Sequence, residues 1–291
     1  MKELIGTGTA LITPFKKDLS IDFNALGRIV EHQIANGTNY FVVLGTTGES
    51  ATLTKDEQKQ VIAAIKEANS NRLPLVLGIG GNNTAAVSDA FTQTDLNGFC
   101  AILSVSPYYN KPNQEGIYHH YKALSEVSKL PIILYNVPGR TGSNMTAQTQ
   151  LRLAELPNVI ATKEASGNME QVMSILANKP DDFLVISGDD ALTFPMMACG
   201  ASGVISVINH AYTKTFSSMV KAALAGNFTE ARALHEKTLE GSIAIFADGS
   251  PGGIKTMLNE MGLCETNVRP PLWQVNSQVD ANLRKLAQLG L

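Results

Sequence analysis

The chain has 291 residues and a mass of 31.1 kDa, with 23 basic and 26 acidic residues for a formal net charge of −3. No basic excess is available to neutralise a phosphate backbone, which argues against nucleic-acid binding. Charged residues make up 17 %, below the roughly 25 % of a typical soluble domain, so a large single core or extensive subunit interfaces are expected.

Short β-branched runs recur at 7–12, 40–44, 75–78, 101–104, 132–135, 159–162, 183–187 and 203–207. Most are apolar throughout and do not alternate, the pattern of parallel strands covered on both faces. Between them lie stretches of helical period. In the first, Leu26, Ile29, Val30 and Ile34 share a face between Asp22 and Gly37. In the next, Thr54-Lys55-Asp56-Glu57 reads as a capping box ahead of Val61, Ile62 and Ile65. Eight such strand–helix units predict an α/β fold, a closed (β/α)8 TIM barrel over residues 1–225 in preference to a doubly wound sheet. From Asn227 onward only helical patterns remain, at 227–246, 252–261 and 280–289. Residues 226–291 are therefore expected to form a C-terminal helical extension packed on the barrel.

Residues 1–5 lack the apolar stretch of a secretory signal, and no apolar run approaches the roughly 18 residues of a membrane span. Cys100, Cys199 and Cys264 are odd in number, widely spaced and each in an apolar context. They read as buried thiols in a reducing compartment, and a cytoplasmic location is expected.

In a barrel of this kind chemistry sits where strands end and the following loops begin. After the second run, Gly45-Thr46-Thr47-Gly48-Glu49-Ser50 offers hydroxyls and main-chain N–H groups to an anion, or caps the helix that follows. After the fourth, Ser106-Pro107-Tyr108-Tyr109-Asn110 sets paired tyrosines in a polar loop, suited to proton transfer or to packing an interface. After the fifth, Tyr135-Asn136-Val137-Pro138-Gly139-Arg140-Thr141-Gly142 joins a strand-end phenol to an arginine whose fork matches a carboxylate. The sixth run ends in Lys163-Glu164. An ammonium in a barrel mouth is costly to desolvate, and a lysine made partly neutral is a nucleophile that forms Schiff bases with carbonyls. The alternative is a lysine in solvent or paired with Glu164. The seventh ends in Ser187-Gly188-Asp189-Asp190, whose carboxylates are expected to cap a helix. His32, His119, His120, His210 and His235 are scattered without metal-ligand spacing. Gly78-Ile79-Gly80-Gly81 lacks the third glycine of a dinucleotide fingerprint. No metal and no organic cofactor is expected.

The order of these segments is more specific than any one of them. Gly-Thr-Thr-Gly-Glu at 45–49, Ser-Pro-Tyr-Tyr-Asn at 106–110, the segment 135–142, Lys163-Glu164-Ala165-Ser166-Gly167, Ser187-Gly188-Asp189-Asp190 and Gly203-Val204-Ile205-Ser206 follow one another. Over essentially the whole chain this resembles the 4-hydroxy-tetrahydrodipicolinate synthase family, long called dihydrodipicolinate synthases, among the class I pyruvate aldolases that include N-acetylneuraminate lyase. The resemblance implies a condensation of pyruvate with L-aspartate 4-semialdehyde in the diaminopimelate route to lysine, without metal or cofactor, in a homotetramer built from two tight dimers. It implies that Lys163 forms the imine with pyruvate and that Tyr135, Thr46 and Tyr109 form a hydroxyl relay, Tyr109 reaching in from the neighbouring subunit. A lone phenol is a poor base at neutral pH, so a relay makes chemical sense. Thr47, with Ile205 and Gly188 nearby, would hold pyruvate, and Arg140 the semialdehyde carboxylate. An L-lysine effector cleft would fall at Ser50, Ala51, Lys55, Gln58, Asn82, Ala86 and Tyr108. Ala86 stands where lysine-sensitive relatives carry a glutamate and Lys55 where they often carry a histidine, so inhibition is expected to be weak or absent. Two rival readings are a sugar-acid or sialic-acid aldolase and a catalytically silent barrel that binds a keto acid.

Overall fold

A computed structural model describes residues 2–291. Eight parallel strands close into a barrel in chain order: β1 (Gly6–Ala10), β2 (Tyr40–Val43), β3 (Leu75–Gly78), β4 (Ala101–Val105), β5 (Ile132–Asn136), β6 (Val159–Glu164), β7 (Leu184–Ser187) and β8 (Gly203–Ser206). β8 pairs with β1, with Ile205 opposite Gly8. The absence of polar alternation now has its reason. In β2 all four residues are buried. Tyr40 and Val42 point into the barrel with Val76, Leu103, Ile133, Ala161 and Ile186. Phe41 and Val43 join the larger cluster between strands and helices.

The connecting helices are α1 (Phe23–Ala35), α2 (Lys55–Asn69), α3 (Thr84–Gln93), α4 (Gln114–Val127), α5 (Pro138–Thr141), α6 (Ala147–Ala154), α7 (Met169–Asn178), α8 (Thr193–Ala198) and α9 (Thr213–Leu224). Asp22 caps α1 through the Ala25 N–H, and the Thr54–Glu57 box closes on α2 in both directions, at 2.9 and 3.2 Å. Between β5 and β6 the chain forms two helices where one was expected, because Pro138 starts a single turn that Gly142 ends with φ 74°. Beyond the barrel follow α10 (Phe228–Ala244), α11 (Gly252–Glu260) and α12 (Ser277–Ala287). α10 packs along α9, and α11 against α12. Among the described residues no helix is long and apolar enough to cross a membrane.

The cysteines divide. Burial raises the thiols of Cys264 and Cys100, to about 12 and about 11. Cys199, expected to be buried, is exposed. Met196 and Met197 face the core, whereas Ala198 and Cys199 fall on the solvent side at the end of α8. An apolar neighbourhood in sequence was not an apolar neighbourhood in space.

Candidate active site

β6 runs two residues beyond the expected strand, and the alternation of side chains sends Lys163 inward and Glu164 outward. The expected alternative pairing of these two is therefore absent. Glu164 is buried outside the barrel wall and accepts hydrogen bonds from Asn136 Nδ2 (3.0 Å), Gln150 Nε2 (2.7 Å), Gln171 Nε2 (3.1 Å) and the Ser166 N–H (2.8 Å). This shell of neutral donors ties the end of β6 to β5, α6 and α7. Spacing within the chain carried no signal for it.

Lys163 is 5 % exposed. Its register partners are Tyr135 on β5 and Ile186 on β7. The ammonium lies 4.3 Å from the centroid of the Tyr135 ring. Among the described residues it has no ion pair and no hydrogen bond; a buried cation without a carboxylate is rare. The aminobutyl chain passes over Gly188, where an added Cβ would lie 2.9 Å from Lys163 Cε, 3.0 Å from Cγ and 2.8 Å from Ala165 Cβ. Gly188→Ala should therefore displace Lys163 and cut turnover by roughly tenfold or more while the barrel stays folded. Steady-state rates alongside melting curves check this; unchanged turnover would mean that Lys163 has room to spare.

The other expected residues lie on β8 or on the segments that follow β2, β4 and β5, and differ in exposure. Thr47 is buried and Thr46 exposed, on a 3-10 turn (Thr46–Gly48) directly after β2. The Leu44–Gly45 link leading into that turn presses against β3, where a Cβ on Gly78 would come within 2.5 Å of the Leu44 carbonyl oxygen. Ile205 is buried in β8. Arg140 is exposed on α5, with no ion-pair partner among the described residues. Tyr109 is 89 % exposed with φ 70°. Its N–H donates to the Thr141 carbonyl at 3.4 Å, tying the loop after β4 to α5. No direct hydrogen bond joins the hydroxyls of Thr46, Tyr109 and Tyr135 within the described chain.

The carboxylates after β7 also divide. Asp189 accepts from the N–H groups of Ala191 and Leu192 (3.0 and 3.2 Å), which closes the turn ahead of α8 but does not cap the helix as expected, since Leu192 holds the N-cap position and no side chain bonds there. Asp190 does not cap; it crosses to the turn after β8 and accepts from Val207 N–H and Ile208 N–H (3.1 and 2.9 Å). Burial pushes its carboxyl up to about 6. Burial also lowers His120 and His210 to about 4, so both are neutral imidazoles used for packing and hydrogen bonds.

Of the effector-cleft residues, Lys55, Ala51, Ala86 and Tyr108 are exposed and Ser50, Gln58 and Asn82 half-buried. Gln58 Nε2 donates to the Ser50 carbonyl at 3.1 Å, and Asn82 Nδ2 to the Tyr108 carbonyl at 3.1 Å.

The closed (β/α)8 barrel carries a buried lysine at the end of β6, its ammonium over a phenol at the end of β5. A family model, the dihydrodipicolinate synthetase family, matches residues 3–289. The chain is 55 % identical over 270 residues to 4-hydroxy-tetrahydrodipicolinate synthase of Parabacteroides distasonis, covering 92 % of this chain and 91 % of that one. It is 54 % identical over 284 residues to the synthase of Flavobacterium psychrophilum, covering 97 % of both. The crystal structure of the chloride-inhibited dihydrodipicolinate synthase of Acinetobacter baumannii, complexed with pyruvate, superposes with a TM-score of 0.95 at 38 % identity over 98 % of each chain. The chain belongs to the dihydrodipicolinate synthetase family.

Proposed function

We propose that this protein condenses pyruvate with L-aspartate 4-semialdehyde to give 4-hydroxy-tetrahydrodipicolinate, through an imine at Lys163. The observation that carries the reading is the Lys163 ammonium, 5 % exposed and over the Tyr135 ring, with no carboxylate among the described residues to hold it in an ion pair. The amine adds to the ketone of pyruvate and water leaves. Loss of a methyl proton gives an enamine, whose carbon attacks the aldehyde. Ring closure by the substrate's own amine then frees Lys163. The lysine supplies the electron sink, so the scheme calls for no metal or organic cofactor.

Tyr135, whose ring the Lys163 ammonium overlies, serves as proton donor and acceptor to the imine. Thr47, on the turn after β2, takes the pyruvate carboxylate together with the backbone at Ile205, and Gly188 leaves room for the lysine chain. Arg140, exposed at the mouth and unpaired among the described residues, takes the carboxylate of the semialdehyde. A rival aldolase of sugar acids would keep Lys163 and Tyr135 but have less use for that arginine. Assaying purified protein with pyruvate plus semialdehyde, against cleavage of sialic acid, separates the two: turnover of the first pair alone supports this reading, and sialic acid cleavage alone refutes it.

The relay of Tyr135 and Thr46 is completed by Tyr109 of a neighbouring subunit, within a homotetramer of two tight dimers. A tyrosine 89 % exposed and held at φ 70° supports this, since such a side chain reaches away from its own protomer. Mixing inactive Tyr109→Phe subunits with inactive Lys163→Ala subunits should restore activity, because one shared site regains both groups. Mixed dimers verified by mass that stay inactive would place Tyr109 outside the partner's site.

L-lysine should inhibit weakly or not at all. A ligand ammonium needs an acceptor, and Ala86 offers none, while Lys55 adds a like charge. A missing charge-assisted hydrogen bond costs roughly 1.5–3 kcal/mol, and about 1.4 kcal/mol is tenfold in affinity. Inhibition one to two orders of magnitude weaker than in sensitive relatives is expected. Half-inhibition at submillimolar L-lysine, with pyruvate near saturation, would contradict the roles given to Lys55 and Ala86.

A further inference from the structure

The turn that carries Thr46 and Thr47 is bracketed by two non-glycine residues in the left-handed region, Leu44 (φ 58°) and Glu49 (φ 52°). Such backbone persists only where its surroundings hold it. Part of the hold is local. Thr13 Oγ1 donates to the Gly48 carbonyl at 2.7 Å, and the Glu49 N–H to the Thr46 carbonyl at 3.1 Å. The rest comes from the far end of the chain. The Glu49 carboxylate is fully buried; Oε1 accepts from Lys255 Nζ of α11 at 2.5 Å and Oε2 from the Arg269 N–H at 2.9 Å.

Lys255, equally buried, also donates to the Asn267 carbonyl at 2.8 Å and lies 4.4 Å from the centre of the Phe15 ring. The Arg269 guanidinium covers the same ring at 4.5 Å. It forks onto Glu57 of α2 at 2.6 and 2.9 Å and donates to the Thr52 carbonyl at 3.0 Å and the Leu19 carbonyl at 2.8 Å. The C-terminal segment thus grips the chain at Glu49, Thr52 and Glu57, just downstream of Thr46 and Thr47. A buried ion pair is a weak source of stability, because apolar side chains of similar volume are often as good or better. What it does supply is a fixed direction and distance.

We infer that Glu49 and Lys255 are positioning residues, through which the C-terminal extension holds Thr46 and Thr47 in place beside Lys163 and Tyr135. The inference rests on the proposed function, in which Thr47 takes the pyruvate carboxylate and Thr46 passes protons. Neither Glu49 nor Lys255 touches substrate.

The test is the double variant Glu49→Gln/Lys255→Met, which removes both charges and keeps the volumes, with Glu49→Gln alone beside it. Wild type and variants are compared by melting temperature and by kcat and KM for pyruvate, with rates expressed per folded molecule. The double variant should melt close to wild type. Its kcat/KM should fall roughly 10- to 100-fold, the size expected for misplacement by about an ångström, with KM for pyruvate raised and kcat lowered. Glu49→Gln keeps one acceptor oxygen, sets an NH2 donor against Lys255 or the Arg269 N–H and leaves the Lys255 charge unpaired, so it should lose at least as much kcat/KM and melt lower. Folded variants with wild-type kcat and KM would overturn the inference; if the double variant does not fold, Glu49→Gln decides by the same readout. Wild type inactive on pyruvate and the semialdehyde would instead refute the proposed function.

Discussion

Lys163→Met should remove turnover, by roughly 10⁴-fold or more, the scale on which enzymes lose activity when a covalent nucleophile is deleted. Methionine keeps the length and volume of the side chain, so the cavity walls formed by Gly188, Ala165 and Tyr135 stay filled. Stability should move the other way. The ammonium is 5 % exposed with no hydrogen bond or ion pair among the described residues, and burying a charge without a partner opposes folding. The variant is therefore expected to melt at or above the wild-type temperature. Thermal melts and progress curves on one preparation check both halves. A folded Lys163→Met enzyme with more than about one per cent of wild-type turnover would mean that another amine, or no amine, does the chemistry.

Arg140→Ala should fall on the second substrate. The guanidinium sits exposed on α5 and no carboxylate among the described residues occupies it. Loss of a bidentate, charge-assisted contact costs roughly 1.5–3 kcal/mol, or about 10- to 150-fold in kcat/KM at 1.4 kcal/mol per decade. That loss should appear in kcat/KM for the semialdehyde, with reductive trapping of pyruvate largely preserved. α5 itself should survive, since its hydrogen bonds run from backbone to backbone. If trapping of pyruvate fell in parallel, Arg140 would belong to the first substrate or to the barrel wall.

The barrel was legible because parallel strands covered on both faces leave a strong mark: apolar runs such as Tyr40-Phe41-Val42-Val43, repeated between amphipathic helices. The cap at Thr54 was legible because its partner lies three residues further on. Lys163 stood out as a charge at the end of an apolar strand. Its environment was hidden, because whether it pairs with Glu164 depends on which face each residue takes, and that is set by how far β6 extends. Longer-range partnerships left no local pattern. Glu49 and Lys255 are 206 positions apart, and Arg269 looks like any basic residue before a proline pair. The Glu164 shell draws on Asn136, Gln150 and Gln171 from three elements. Asp190 was read as a cap because capping is the local use of such a residue, while its partners lie after β8. Cys199 was misjudged for the same reason, since only part of the short α8 faces the core.

The central claim is that one lysine forms an imine with pyruvate. Incubating the enzyme with pyruvate and borohydride, then mapping peptides by mass, tests it directly, because reduction freezes the imine as a stable secondary amine. The account predicts a single adduct on the peptide that holds Lys163, absent without pyruvate and absent in Lys163→Met. An adduct at another lysine, the buried Lys255 included, or folded enzyme that turns over substrate yet takes up no label, would contradict it.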